Sequence, residues 1–270
     1  MNVLLKSVTI IAPLSTEYHK KKRDILIKNG RIDRIATSIR DAGKIKTISL
    51  PNLHVSPGWF DSGVCFGEPG FEERETIANG LDVAGKSGFT SIVLQPNTNP
   101  LPDTSSDIVF MKNSAANAAT TLHPLGTVTV KSEGNTLAEL FDMHQAGALG
   151  FYDHKRPQEN GNVLKIALQY VQNFKGLVFS YPQDADLVSQ GLVHEGEVST
   201  RLGLKGIPAF AEELRIKRDL AILEYTGGKL HFPTVSTAKA VELIAEAKDR
   251  GLDISCSVAL QNLWLSLIHI

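Results

Sequence analysis

Apolar and polar residues alternate through the first part of the chain, a pattern typical of strands with one buried face. Residues 24–35 place Asn29 and Gly30 between two alternating apolar runs, which is a strong short-range signal for a β-hairpin. Residues 47–55 have the composition of a further short strand, which the Ser-Pro-Gly sequence at 56–58 ends. We therefore predict a small all-β unit over residues 1–56.

From residue 57 onward the pattern changes to strands that alternate with helices. Apolar runs predict strands at 59–61, 90–95, 122–130, 148–152, 177–181, 229–232 and 254–258. Helical spacing of apolar residues predicts helices at 77–87, 108–119, 136–145, 163–174, 209–225 and 237–250. Such alternation is typical of parallel βαβ units. No Gly-x-Gly-x-x-Gly opens the first helix, so a doubly wound nucleotide-binding sheet is the less favoured arrangement.

The predicted fold class is therefore α/β, with an incomplete (β/α)8 TIM-type barrel over residues 57–264. About six to seven units are present, whereas a closed barrel needs eight. An unclosed parallel sheet leaves strand edges unpaired, so we expect poor stability of the chain on its own. Residues 265–270 do not continue the pattern and resemble translated adapter sequence, so we predict a non-native tail there.

Composition narrows the function without defining it. Lysine and arginine total 28 against 29 acidic residues, a formal net charge of −1, so nothing invites a nucleic acid or an anionic membrane. No run reaches the roughly 18 apolar residues of a membrane span. The apolar start of the chain is interrupted by Lys6 and lacks a signal-peptide pattern. The two cysteines, Cys65 and Cys256, form no disulfide framework, so we expect a cytoplasmic protein.

Few residues suggest chemistry by spacing alone. The eight histidines show no pair at metal-binding spacing, and no HExxH or GxSxG motif is present. Asp153 and His154 follow the predicted strand 148–152, where a barrel places its active residues. A solvated loop pair is nevertheless the favoured interpretation. His231 lies within a predicted strand, and a hydrogen-bonded core histidine is its expected role.

Longer segments carry a specific resemblance. Residues 57–71 (PGWFDSGVCFGEPGF), the Pro-Asn-Thr-Asn-Pro at 96–100, residues 195–213 and residues 230–238 resemble the dihydroorotase family of the amidohydrolase superfamily. The resemblance extends in register over essentially the whole chain. It implies a distorted (β/α)8 barrel joined to a small β-sandwich, zinc as cofactor, and hydrolysis of the cyclic amide of dihydroorotate in pyrimidine biosynthesis. Zinc would polarise the amide and lower the pKa of bound water.

The chain departs from the family at the positions that matter for zinc. The degenerate positions are Gly63, Cys65, Gly67, Tyr181 and Thr234, of which Gly67 replaces an arginine that grips the substrate carboxylate. The resemblance implies that Asp153 keeps a metal-ligand position and that Asn97 keeps a substrate-binding one. The replacement ligands that the chain offers are Cys65 as a thiolate and His154 beside Asp153. The family's general-base aspartate lies beyond the chain end, so we place no catalytic residue here and expect zinc to be absent or weakly bound.

Three functions follow as hypotheses. The first is a catalytically inactive homologue that acts as a structural or regulatory partner of aspartate transcarbamoylase, with a homo-oligomer as a further assembly. The second is an active dihydroorotase or cyclic amidohydrolase with a reduced or displaced metal site. The third is a non-catalytic protein that binds a small molecule through Asn97.

Overall fold

The computed structural model describes residues 2–40 and 45–265, so the predicted tail lies outside the described residues except for Leu265. The chain divides into two compact units, Met1–Trp59 and Phe60–Ile270. The sequence places the boundary three residues earlier, between 56 and 57. Each unit is described below by itself.

The first unit is one five-stranded sheet. Its strands are β1 (Val3–Ile10), β2 (Lys22–Lys28), β3 (Arg31–Ala36), β4 (Lys46–Ile48) and β5 (His54–Val55). The order is β3-β2-β1-β4, and β5 also pairs with β1. The predicted hairpin is confirmed, because Asn29 and Gly30 both adopt positive φ between β2 and β3. The single strand predicted at 47–55 is wrong: a turn at Pro51 and Asn52, with φ +56° at Asn52, divides it into β4 and β5.

The second unit alternates strands and helices. The first half contains β6 (Trp59–Val64), α1 (Ile77–Lys86), β7 (Phe89–Leu94), α2 (Ser105–Ser114), β8 (Thr121–Gly126), α3 (Leu140–Gln145), β9 (Gly150–Tyr152) and α4 (Gly161–Val171). The second half contains β10 (Val178–Phe179), α5 (Ala185–Val188), β11 (Val193–His194), α6 (Glu197–Arg201), β12 (Gly206–Ile207), α7 (Phe210–Thr226), β13 (Leu230–Phe232), α8 (Ala238–Asp249), β14 (Ile254–Cys256) and α9 (Leu260–Trp264).

Seven of these strands form one sheet in the order β14-β13-β10-β9-β8-β7-β6. The pairs from β7 to β14 are parallel, as the βαβ pattern predicts. The seven strands correspond to the seven predicted ones, so the incomplete barrel is confirmed. The small elements α5, β11, α6 and β12 lie within the long segment before α7, where the sequence predicts no regular structure.

Helix boundaries differ from the predicted ones where local capping decides. The helix predicted at 108–119 begins at Ser105, because the Asp107 carboxylate accepts a hydrogen bond from the Thr104 backbone N–H. The strand predicted at 122–130 ends at Gly126 in the structure. A short 3₁₀ helix follows at Val130–Ser132.

The main core of this unit lies between the sheet and α3, α4, α7 and α8. It includes Phe151, Leu168, Leu223 and Phe232, all essentially inaccessible to solvent. Burial on both faces of the parallel strands explains their continuous apolar sequence. Among the helices of the described residues, none is long and apolar enough to cross a membrane.

Candidate functional site

The predicted site residues lie at the carboxyl ends of the parallel strands. Gly63 and Cys65 stand at the end of β6, Asn97 follows β7, and Asp153 with His154 follows β9. In (β/α) barrels this end of the sheet carries the active residues.

Asp153 is held in place by the loop that follows β8. Its Oδ1 accepts hydrogen bonds from the backbone N–H groups of Val128 (2.9 Å) and Thr129 (3.1 Å). Its Oδ2 accepts from Thr129 Oγ1 at 2.7 Å. Burial raises the pKa of the Asp153 carboxyl, and the hydrogen bonds from Thr129 and Val128 offset this only in part. Both oxygens are therefore already used to join two strand ends.

Cys65 and His154 lie next to each other. The Sγ–Nε2 distance is 3.7 Å, while His154 Nδ1 is buried without a hydrogen-bond partner among the described residues. Burial, with a smaller effect of Lys155, lowers the pKa of His154 to about 4. The surrounding protein also raises the pKa of the partly exposed Cys65 thiol, which nearby cations offset incompletely. At neutral pH this pair is an uncharged thiol beside an uncharged imidazole.

The two degenerate glycines differ in the space that they leave for a side chain. A Cβ added at Gly63 would lie 3.4 Å from Gln95 Nε2, and this amide donates a hydrogen bond to the Ser62 carbonyl. Gly67 has φ +104°, and a Cβ there would lie 3.0 Å from the Phe71 Cβ and carbonyl oxygen. A side chain at Gly67 would therefore be strained, whereas a Cβ at Gly63 would make only an ordinary contact with Gln95.

Tyr181 and Thr234 line one cavity of about 180 Å³ together with His194 and Glu212. Tyr181 packs against the buried aromatic residues Tyr152 and Phe179, whose ring centroids are 5.8 Å apart. Burial raises the pKa of Tyr181, which keeps its hydroxyl neutral and a poor metal ligand. Neither position offers the imidazole that the family resemblance implies.

His231 is a core histidine, as predicted. It is 8% exposed, and its Nδ1 and Nε2 lie 2.8 and 3.2 Å from the hydroxyls of Ser255 and Ser257. Burial lowers the pKa of His231 to about 4. Its role is to connect β13 to β14.

Asn97 faces an open cavity of about 350 Å³ that is also lined by Ser132, His154 and Arg156. Asn97 Oδ1 has no hydrogen-bond partner in the described part of the chain. Arg156 Nη1 donates hydrogen bonds to the carbonyls of Lys131 and Ser132. Sequence reasoning missed Arg156 and Ser132. Arg156 follows β9, as Asp153 does, and Ser132 follows the neighbouring strand β8, and these positions at strand ends were the available signal.

These residues do not fit the zinc site of the family. A tetrahedral protein site presents three or four ligands. Across residues 2–40 and 45–265, no group of three or more histidine, cysteine or acidic side chains could hold a metal ion. Asp153 is engaged with Thr129 and Val128, so only Cys65 and His154 stand together.

The curved parallel sheet, its flanking helices and the polar residues at its carboxyl end are those of an amidohydrolase-type barrel. The chain belongs to the Dihydro-orotase-like family, whose model matches residues 54–240.

Relatives and solved structures agree with this assignment. The chain is 40% identical to the dihydroorotase of Pelotomaculum thermopropionicum over 266 residues. This match covers 98% of this chain and 62% of the relative. It is 35% identical to that of Syntrophus aciditrophicus, over 94% of this chain and 60% of the relative. The L-hydantoinase (dihydropyrimidinase) of Arthrobacter aurescens shares the fold with a TM-score of 0.80 at 21% identity, over 96% and 58%. The chain thus spans about 60% of the length of these proteins.

Proposed function

We propose that this chain is a catalytically inactive dihydroorotase homologue. The observation that carries the proposal is the environment of Asp153, the metal-ligand position that the family resemblance retains. Its Oδ1 accepts hydrogen bonds from the Val128 and Thr129 backbone N–H groups and its Oδ2 accepts one from Thr129 Oγ1, so both oxygens already have protein partners. Gly63 supports the same conclusion at a second strand end, because it offers no side chain that could bind a metal.

The role we propose is that of a structural or regulatory partner of aspartate transcarbamoylase in pyrimidine biosynthesis. Its support is the family framework, which is retained in sequence over most of the chain while the ligand positions are not. A protein selected only for assembly keeps its surface and fold without its metal ligands. Self-association into a homo-oligomer is the alternative assembly.

The first experiment measures zinc and turnover on the same protein. The purified chain is incubated with zinc, desalted and analysed for bound metal, then assayed with dihydroorotate and with carbamoyl aspartate. The Pelotomaculum thermopropionicum dihydroorotase, prepared in parallel, is the positive control. We expect no stoichiometric zinc and no turnover; about one zinc per chain with turnover would refute the proposal.

The partner role needs a separate measurement. The chain is mixed with aspartate transcarbamoylase of the same source and followed by size-exclusion chromatography with light scattering. Co-elution at a fixed ratio supports the role, and separate elution at micromolar concentrations contradicts it. The chain alone, at the same concentrations, reveals any homo-oligomer.

One observation favours an active enzyme with a displaced metal. The Cys65–His154 separation of 3.7 Å is close to the roughly 3.6 Å expected between a sulfur and a nitrogen ligand of one tetrahedral zinc. The double variant Cys65→Ala/His154→Ala would then abolish zinc binding, whereas Cys256→Ala, which removes the other cysteine, would not. Equal zinc content in all three proteins would eliminate this alternative.

Binding without catalysis is a further alternative, favoured by the unpartnered Asn97 Oδ1 in its cavity. Dihydroorotate that binds at millimolar concentrations to the chain but not to Asn97→Leu, without being hydrolysed, would support it.

A further inference from the structure

Cys65 and His154 face each other from the loops that follow β6 and β9. The Cys65 Sγ and His154 Nε2 atoms lie 3.7 Å apart. Over residues 2–40 and 45–265, no third histidine, cysteine or acidic side chain joins the two in a group that could hold a metal ion. Zinc takes three or four protein ligands, so this pair suits a metal ion that requires fewer.

The protein fixes the orientation of the His154 ring. This ring packs edge-on against the buried ring of Tyr152, with centroids 5.4 Å apart and an angle of 89° between the two planes. The Tyr152 hydroxyl in turn accepts a hydrogen bond from the Lys155 backbone N–H at 3.1 Å, which holds the loop that carries His154. The orientation in which Nε2 faces the Cys65 sulfur is therefore set before any ion binds.

Both side chains can reach the form that binds a metal ion. The His154 imidazole is uncharged at neutral pH, and its Nδ1, which is buried without a hydrogen-bond partner in the described part of the chain, can carry the ring proton. In this tautomer the Nε2 lone pair is free to bind a metal. The Cys65 thiol is exposed, and a metal ion that binds sulfur displaces its proton.

The charges around the pair favour a monovalent ion over a divalent one. Burial raises the pKa of the Cys65 thiol; among the charged groups near it, the cations Lys155 and Arg74 lower this pKa, and Asp61 raises it by a smaller effect than either cation has. A thiolate, a neutral imidazole and a monovalent ion together carry no net charge. A divalent ion would leave one positive charge beside two cations, which is unfavourable in a partly buried site.

We propose that Cys65 and His154 form a two-ligand site for copper(I). Copper(I) is a soft monovalent ion that thiolates select, and imidazole is also a suitable ligand for copper. On binding, the thiol proton leaves to solvent and a Cu–S bond forms, with no change of oxidation state. The ion can enter through the open cavity of about 350 Å³ that His154 also lines. The site is distinct in its ion from the displaced zinc site considered above, and it does not depend on whether the chain is a catalyst.

Copper(I) itself is the probe. The 270-residue chain is titrated under nitrogen, with ascorbate as reductant, into the coloured copper(I)–ferrozine complex, whose colour is lost as copper passes to the protein. We expect the chain to take up about one equivalent of copper(I), and zinc added in about tenfold excess to leave that copper in place. No uptake of copper would overturn the proposal. Displacement of the copper by zinc would also overturn it, and would favour a divalent site.

Variants distinguish a two-ligand site from a single reactive thiol. Cys65→Ser should abolish copper uptake. His154→Phe, which keeps an aromatic ring against Tyr152, should weaken copper binding about tenfold or more, whereas a thiol that binds alone would not need the imidazole. Cys256→Ala is the matched control, because it removes the other cysteine, which packs against the main core, and it should bind like the unmodified chain. Unchanged binding in His154→Phe, or loss of copper in Cys256→Ala, would contradict the assignment.

X-ray absorption at the copper edge tests the ligands in the unmodified chain and so does not depend on how the variants fold. We expect one sulfur and one nitrogen neighbour per copper ion. Two sulfur neighbours, as a copper ion shared between two chains would have, or nitrogen and oxygen neighbours alone, would overturn the proposal. Circular dichroism and thermal unfolding of each variant without copper show whether it folds, and His154→Gln replaces His154→Phe if the latter unfolds early; unchanged copper binding in His154→Gln would refute the role of the imidazole.

Discussion

Asp153 is the position where structural and metal-binding roles make opposite predictions. Its carboxylate accepts three hydrogen bonds, two from backbone N–H groups at Val128 and Thr129 and one from the Thr129 hydroxyl. The perturbation is a pair of substitutions, Asp153→Ala and Asp153→Asn. Alanine removes every acceptor, whereas asparagine can keep one carbonyl oxygen in the place of Oδ1.

The magnitudes follow from the hydrogen bonds that each variant retains. In Asp153→Ala, two backbone N–H groups lose their acceptor in a buried site, and we expect a loss of about 3–5 kcal/mol in the free energy of unfolding. In Asp153→Asn, both backbone N–H groups keep their acceptor and the charge no longer has to be buried. Since burial raises the pKa of this carboxyl, we expect a loss of only about 1 kcal/mol.

The assay is urea unfolding followed by tryptophan fluorescence and circular dichroism, with amide hydrogen exchange at Val128 and Thr129 as a local readout. Asp253→Ala is the control, because that side chain is 66% exposed and lies 4.0 Å from its cation; its effect should stay within about 0.5 kcal/mol. The reasoning is refuted if Asp153→Ala costs no more than the control. It is also refuted if Asp153→Asn is as damaging as Asp153→Ala, since the charge itself would then be required.

Three further predictions concern neighbouring features. Gly67→Ala should lower the free energy of unfolding by about 1–3 kcal/mol, because φ is +104° and Phe71 is in the way; an unchanged urea midpoint would contradict this. Gly63→Ala should change the free energy of unfolding by no more than about 0.5 kcal/mol, because its Cβ would lie at an ordinary contact distance of 3.4 Å from Gln95 Nε2; a larger loss in the urea midpoint would show that Gln95 cannot adjust. Because the pKa of His231 is about 4 in the folded chain, its imidazole stays neutral between pH 6.5 and pH 4, whereas the unfolded chain takes up a proton there. The free energy of unfolding should therefore fall from pH 6.5 towards pH 4, and the urea midpoint of His231→Gln should fall less steeply. Equal slopes in both proteins would exclude His231 as the cause.

The fold could be predicted from sequence because its signals are local and repeated. Seven apolar runs separated by helical periodicity became seven parallel strands, and Asn29-Gly30 gave the hairpin. The errors arose where a single residue overrides the average pattern. Asn52 adopts a positive φ and interrupts a strand, and Asp107 begins a helix earlier than its apolar spacing indicates.

The site was less predictable, because its chemistry depends on neighbours that are distant in sequence. The glycines at positions 63 and 67 show in the sequence that two side chains are missing. The sequence does not show that Gln95 lies beside Gly63. The adjacency of Cys65 and His154 spans 89 residues and joins two loops.

The backbone at Gly67 also limits how this part of the barrel can change one residue at a time. Its φ of +104° and the Phe71 carbonyl oxygen 3.0 Å from the Cβ position mean that any side chain introduced there would strain the loop. An arginine at this position would therefore cost stability unless the loop around Phe71 changed first. The order in which mutations occur around Phe71 thus decides which side chains position 67 can accept.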